Sequence, residues 1–408
     1  MRLKSSSIYY ALFLSVIIGF FLGGMILFAG VNKRFESFID KDERLRNNAY
    51  SGIEYGMANF QELGEENIEV TLFNDFDSVR LSKGSWGSYT VITSIAHSGA
   101  LNKEKSVLTG KIGGTGSPSL FLVDQGDPLS VCGETRLEGK CLLPKSGIKR
   151  AYLNGRIYKG DRMVYGTQGV SESKLPAINE TFLSNLKNTQ GEVQHWTESD
   201  SIAQTFADPA LQFIADGTIS LKSNSITGHV YIESGDSIFI GADAELDQII
   251  VKSRVVYIEK GFEGSLQIYA SERIILEEGV HLLYPSVLGI IEETTPDGKS
   301  AEIVIDRNSQ LIGSVLEISE SQSHNLQIQI LIEQDARVDG LVYNEGSTQV
   351  NGTVNGSLYT KSFFLKLSSS GYYNHLLNAT IKNDLPKDFV FIPIMESNEP
   401  LTKIQWLQ

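Results

Sequence analysis

Asp236, Arg254 and Glu272 stand eighteen residues apart, an acid–base–acid series at one position of a repeating pattern. Brought side by side on adjacent strands, such groups could act as general acid, general base and charge stabiliser in glycan cleavage. That chemistry needs more than the series itself. No Asp-Asp pair, no His-Gly and no Arg-x-Lys lies near these residues. The series therefore reads as a solvated ladder of ion pairs between neighbouring strands. Asp306, Glu333 and Asp335 sit at turn-like positions, and no catalytic residue is expected.

Cys132 and Cys141 are the only two cysteines, and they flank a short glycine-containing stretch in adjacent expected strands. Two outcomes are open: a disulfide in an oxidising compartment, or a pair of buried thiols. Six histidines without metal-ligand spacing, and no Cys-x-x-Cys, give no reason to expect a metal or another cofactor. Asn179, Asn351, Asn355 and Asn378 begin Asn-x-Ser/Thr sequences, which polar turns also produce. With 35 basic against 49 acidic residues the net charge is −14, which argues against nucleic acid and against electrostatic docking on anionic lipid.

The pattern that carries the acid–base–acid series is apolar at its core. Ile238 and Ile240 are followed by Val256 and Ile258, then by Ile274 and Leu276. Ile232, Ile250 and Ile268 precede these pairs, and Ala244, Phe262 and Val280 follow them. Two apolar residues around one outward residue make a short strand with alternating faces. A fixed period near 20 residues means that successive turns of chain stack, because no single turn buries its own inner face. The expectation is a parallel β-helix in which Ile240, Ile258 and Leu276 share one inner column. Phe239, Tyr257 and Ile275 lie between the inward pairs and should form an outward apolar column. That column is either a partner surface, for protein or glycan, or is covered by the N-terminal helix or by residues 171–216.

A glycine signature extends the stacked region. Apolar-x-Gly-x-apolar recurs around Gly110, Gly139, Gly155, Gly228, Gly264, Gly313, Gly340, Gly352 and Gly356. Glycine permits the corner by which a strand passes to the next face, and Gly110 is the instance closest to a chance match. Over roughly residues 128–170 and 218–370 this signature resembles the polymer-forming β-helix of the bactofilin family. The resemblance implies the fold, and as one functional expectation a membrane-associated cytoplasmic scaffold.

At the other end of the chain, residues 5–32 contain no charge and residues 8–29 are almost wholly apolar. About 20 such residues span a bilayer as a helix. The run is longer than a signal-peptide core and lacks a good cleavage site, so an uncleaved signal-anchor is expected, Ala29-Gly30 being the weak alternative. Arg2 and Lys4 precede it, whereas Lys33, Arg34, Lys41, Arg44 and Arg46 follow it, against the positive-inside rule. The short N-terminal tail is nevertheless the easier end to leave in the cytoplasm, and the expectation is a bulk on the extracytoplasmic side. Ser15, Gly19 and Gly23 share one helix face at four-residue spacing and form a candidate helix-packing face.

Beyond the apolar run, Phe35, Phe38 or Ile39, Leu45, Ala49, Ile53, Met57 and Phe60 recur at helical spacing. This layout, with NNAYSGIEYGMA at residues 47–58, resembles the N-terminal spine of pilin-like proteins, closest to type IV minor pilins. The prepilin peptidase site of that family is absent here.

The chain is thus expected to be mainly β. A transmembrane and amphipathic helical spine (1–60) precedes a small α+β region (61–127). A glycine-punctuated β-helix (128–370) follows, with an excursion at 171–216 that includes a short amphipathic helix, and then a C-terminal cap (371–408). A loop with PDGKS at its tip interrupts the coils at 285–301. The expected role is that of a single-pass, membrane-anchored extracytoplasmic structural or interaction protein, pilin-like or part of envelope assembly, with a protein partner or self-association. A cytoplasmic scaffold and a surface glycan-binding or glycan-cleaving protein are the alternatives.

Overall fold

The structure, a computed structural model of the full chain, describes residues 5–60, 63, 67–73, 77–113, 117–187, 191–197, 201–292, 301–319, 327–367, 370–395 and 399–407. It is mainly β, with one long apolar N-terminal helix. Two compact units divide the chain, residues 1–82 with 93–105, and residues 83–92 with 106–408. These units do not follow the expected boundaries at 60, 127 and 370.

The first unit is built on helix α1 (Ser5–Ala58). No proline occurs before Pro118, and an uninterrupted helix of this length extends about 80 Å at 1.5 Å per residue. No described residue of its apolar N-terminal part is buried, and that part is long and apolar enough to cross a membrane. From Leu45 onward the character changes. Leu45, Ala49, Ile53 and Met57 are buried, and Leu45 and Ala49 join Leu63, Val79, Leu81 and Ala96 in one cluster. Ile68–Val70 runs antiparallel to the start of Ser78–Trp86, with Ile68 opposite Leu81 and Val70 opposite Val79. Gly52 allows the helix to lie close on these strands, since a Cβ there would come within 2.7 Å of Val79 Cγ1. Arg44 Nε donates to Asp77 Oδ2 at 2.6 Å, Asn48 donates to the same oxygen, and Lys103 pairs with Asp42. The apolar stripe is shorter than its spacing suggests. Phe35, Phe38 and Ile39 remain exposed, because contact with the strands begins only at Leu45.

In the second unit, parallel strands close around a single apolar core. Three ladders of register build it, and they are here called faces I, II and III. Face I aligns Ile226 with Leu246 and, beyond the Gly264 position, Leu282, Leu311, Val338, Val354 and Ile381 in sequence along the ladder. Face II aligns Phe213, Ile232, Val251, Ile268, Leu288 and Val315. Face III aligns Ile219, Ile238, Val256, Ile274, Ile303 and Ile330. Ile240, Ile258 and Leu276 share one inner column, each essentially inaccessible.

The glycine signature has a definite meaning at five of its nine sites. Gly139, Gly228, Gly313, Gly340 and Gly356 occupy the corner between faces I and II, so the two flanking apolar residues are inner residues of successive faces. Gly340 shows why glycine is needed: its φ is +146°, and a Cβ would lie 1.8 Å from the Gly313 carbonyl oxygen. The remaining sites differ. Gly155 turns a two-residue hairpin, Gly352 lies in a turn, Gly264 sits beside the Phe262 ring, and Gly110 lies in an antiparallel strand against the Phe391 carbonyl.

Stack order and chain order differ. The regular period suggests that residues 119–170 precede the coils that begin at 218. Instead Leu120–Leu122 pairs with Thr353–Leu367, and Arg136–Leu143 pairs with Thr380–Lys382. The glycine-rich segment therefore extends the far end of the ladders, ending at Tyr165–Val170. Residues 192–215, expected as part of an excursion, supply ladder strands at the opposite end, with Glu192–His195 on Leu211–Ala215 and Ser201–Gln204 on Ser225–Gly228. Only the preceding stretch leaves the ladders, and it carries the expected short helix, α2 (Glu180–Lys187). Of the segment expected as a C-terminal cap (371–408), Thr380–Lys382 lies in the ladders between Thr353–Leu367 and Arg136–Leu143. Val390–Phe391 and Leu401–Leu407 run antiparallel to the 106–112 part of Leu101–Ile112. The PDGKS loop tip lies outside the described residues.

Candidate interaction surface

Strand alternation turns every second side chain out of the core, so each face has an outer row. The outer row of face II is apolar and covered. Ile250, Tyr269, Val287, Leu316, Leu341 and Tyr343 pack with three other stretches of the same unit. The turn at 86–89 contributes Trp86 and Tyr89, α2 contributes Phe182 and Leu186, and the C-terminal segment contributes Ile392, Ile394 and Leu407. Hydrogen bonds fix these stretches in place: Trp86 Nε1 donates to the Gln248 carbonyl at 3.1 Å, Gln267 Nε2 to the Trp86 carbonyl at 2.9 Å, and Tyr343 OH to the Pro176 carbonyl at 3.0 Å.

Face III has an apolar outer row too, and it differs in being accessible. Phe239 aligns with Tyr257 and Tyr257 with Ile275, as their spacing suggests. The Phe239 and Tyr257 rings lie 5.7 Å apart, and Phe239 is 45% exposed. Val304 and Leu331 continue the column, both part-exposed. Sequence reading missed these two because the interval between equivalent residues lengthens from 18 to 29 and 27 along Leu276, Ile305 and Ile332; the recurring apolar-x-apolar triplets at 303–305 and 330–332 are the signal that could have found them. Of the 171–216 excursion, one of the two candidates for covering this column, the part up to Lys187 packs on face II and residues 192–215 join the ladders.

Two charged ladders border the column. On one side Arg254 bridges Asp236 at 2.7 Å and Glu272 at 2.8 Å, as a solvated ion-pair ladder should, and Arg273 pairs with Glu302 at 3.6 Å. On the other side Glu259, Glu277, Asp306 and Glu333 follow the ends of four successive face III strands at equivalent positions. Four stacked carboxylates repel one another, yet each finds donors in the turns. Glu259 accepts from the Ala242 amide, Glu277 from the Lys260 amide at 2.9 Å, Asp306 from the Arg307 amide at 2.7 Å, and Glu333 from Asn351 Nδ2 at 3.2 Å. Tyr257 OH donates to Glu277, which joins the apolar column to the acidic ladder. That hydrogen bond holds the Glu277 carboxyl below its usual range and pushes the Tyr257 hydroxyl up to about 12.

The two cysteines are unbonded, which corrects the disulfide alternative. Alternation explains the separation. Cys141 ends the inner column of face II, with Ser119 Oγ at 3.7 Å, whereas Cys132 belongs to a separate cluster with Leu153, Leu365 and Leu377. Burial pushes both thiols above their ordinary range. On α1, Ser15 donates to the Leu12 carbonyl at 2.8 Å, and Gly19 and Gly23 have open space where a side chain would be. Among the described residues no group of His, Cys, Asp and Glu is arranged to hold a metal ion.

Compared with known proteins, the chain matches no protein family, no curated protein and no solved structure.

Proposed function

We propose that the chain is a membrane-anchored structural and interaction protein, in which α1 crosses the bilayer once and a parallel β-helix presents face III to a partner. The reading rests on one contrast: two faces carry apolar outer rows, and among the described residues one is buried whereas the other stays partly exposed. A β-helix needs no catalytic centre for this role, and the Asp236–Arg254–Glu272 series is occupied by its own ion pairs. In this reading the bulk lies outside the cytoplasm, in a pilin-like or envelope-assembly setting.

The test replaces Phe239 and Tyr257 together by Ser. Their side chains take no part in the inner column, so the melting temperature should change little while capture of partner from membrane extract falls. A large drop in melting temperature would assign the pair to the core, where truncating a buried aromatic costs about 3–5 kcal/mol.

A second reading, a bactofilin-like scaffold on the cytoplasmic face, is supported by two observations. Five basic residues from Lys33 to Arg46 follow the span, and the two thiols are unpaired. A compartment reporter fused to the C-terminus separates the readings: an extracytoplasmic signal supports the first and a cytoplasmic signal the second.

A further inference from the structure

Face III carries information about what would lie on it. Its apolar column runs across the strands, one side chain per coil, at a spacing of about 4.8 Å. An α-helix laid along that direction offers an apolar residue every turn, about 5.4 Å, so it drifts from the column by only about 0.6 Å per strand. An extended strand repeats its side chains on one face at roughly 6.7 Å and falls out of step after two coils. The borders are unequal in charge. Arg254 and Arg273 offset the carboxylates on one side. On the other, Glu259, Glu277, Asp306 and Glu333 use backbone amides, an Asn side chain and a Tyr hydroxyl as donors, and Lys260, whose charge also acts on Glu277, pairs with Glu278, so the ladder itself stays net negative.

Building on the partner surface proposed above, we propose that face III binds an amphipathic helix whose apolar stripe is bordered by Lys or Arg. The stripe lies on Phe239, Tyr257, Ile275, Val304 and Leu331, and the basic border meets the acidic ladder. A face of like charge, including face III of a second copy, is disfavoured for the same reason.

The experiment uses the full chain in nanodiscs of uncharged lipid, with a photo-crosslinking residue at position 275 or, as a control, at the exposed face I position 245. The probe is a biotinylated leucine/lysine amphipathic peptide of about five helical turns, compared with a twin carrying glutamate in place of lysine. Crosslinking at 275 should favour the lysine peptide by about tenfold or more, be weak at 245, and fall several-fold in a Glu277→Gln/Glu333→Gln variant. Equal capture of the two peptides, capture independent of position, or a crosslink to a second copy in place of the peptide would each overturn the helix assignment. A stable Phe239→Ser/Tyr257→Ser variant with no peptide captured by the parent chain removes this inference alone; an unfolded double variant removes the partner surface as well.

Discussion

Ile258 stands at the middle of an inner column, with Ile240 on one side and Leu276 on the other. Replacing it by Asp would bury a carboxylate with no partner, at a cost of several kcal/mol. The variant should lose its cooperative melting transition, and a folded protein of unchanged stability would show that the register of face III is wrong. The two cysteines make an independent check on strand alternation. In the native protein neither thiol should react with a water-soluble thiol reagent, and both should react after denaturation without a reductant. Two thiols that stay silent in denaturant would mean a disulfide, and would contradict the separate environments of Cys132 and Cys141.

At the scale of elements, the corner between faces I and II is where backbone geometry constrains the sequence most tightly. Gly313, Gly340 and Gly356 stack on one another, each with a positive φ and each facing the carbonyl of the coil before it. Gly340→Ala should therefore be far more damaging than its size suggests, because both the conformation and the space are denied to a Cβ. A melting temperature well below that of the parent is expected. Gly99, which also has a positive φ but open space around it, provides the comparison and should cost less when changed to Ala. The contrast separates steric exclusion from conformational preference alone. Helix α1 shows a similar division along its length: the same helical period is buried from Leu45 onward and exposed before it. Period alone does not say where a neighbouring strand begins.

For the whole molecule, the long apolar part of α1 is the feature with the widest consequence. Because residues 8–29 exceed a signal-peptide core and lack a good cleavage site, the chain should remain with membranes after a high-salt wash and keep its N-terminus. Recovery of a soluble form beginning at Gly30 or Val31 would contradict this. The same scale contains the difference between chain order and stack order. Residues 120–170 extend the end of the ladders that residues 353–382 reach, so early and late parts of the chain must meet before that end is complete.

Much of this was legible in the sequence for a simple reason: a stacked parallel strand repeats its inner residues at a fixed interval, and a membrane-length helix is a continuous apolar run. Both are local patterns. The 18-residue columns, the ion-pair ladder at Arg254, helix α2 and the outward alignment of Phe239, Tyr257 and Ile275 all follow from them. Contacts between segments distant in the chain leave no period. Only the tertiary structure could decide that Trp86, Phe182 and Leu407 cover face II and that the early glycine-rich segment pairs with the last strands of the ladders. It also decided that Cys132 and Cys141 turn into different clusters. Each of these depends on which apolar surfaces compete for burial once the chain has closed, and that competition is a property of the assembled fold.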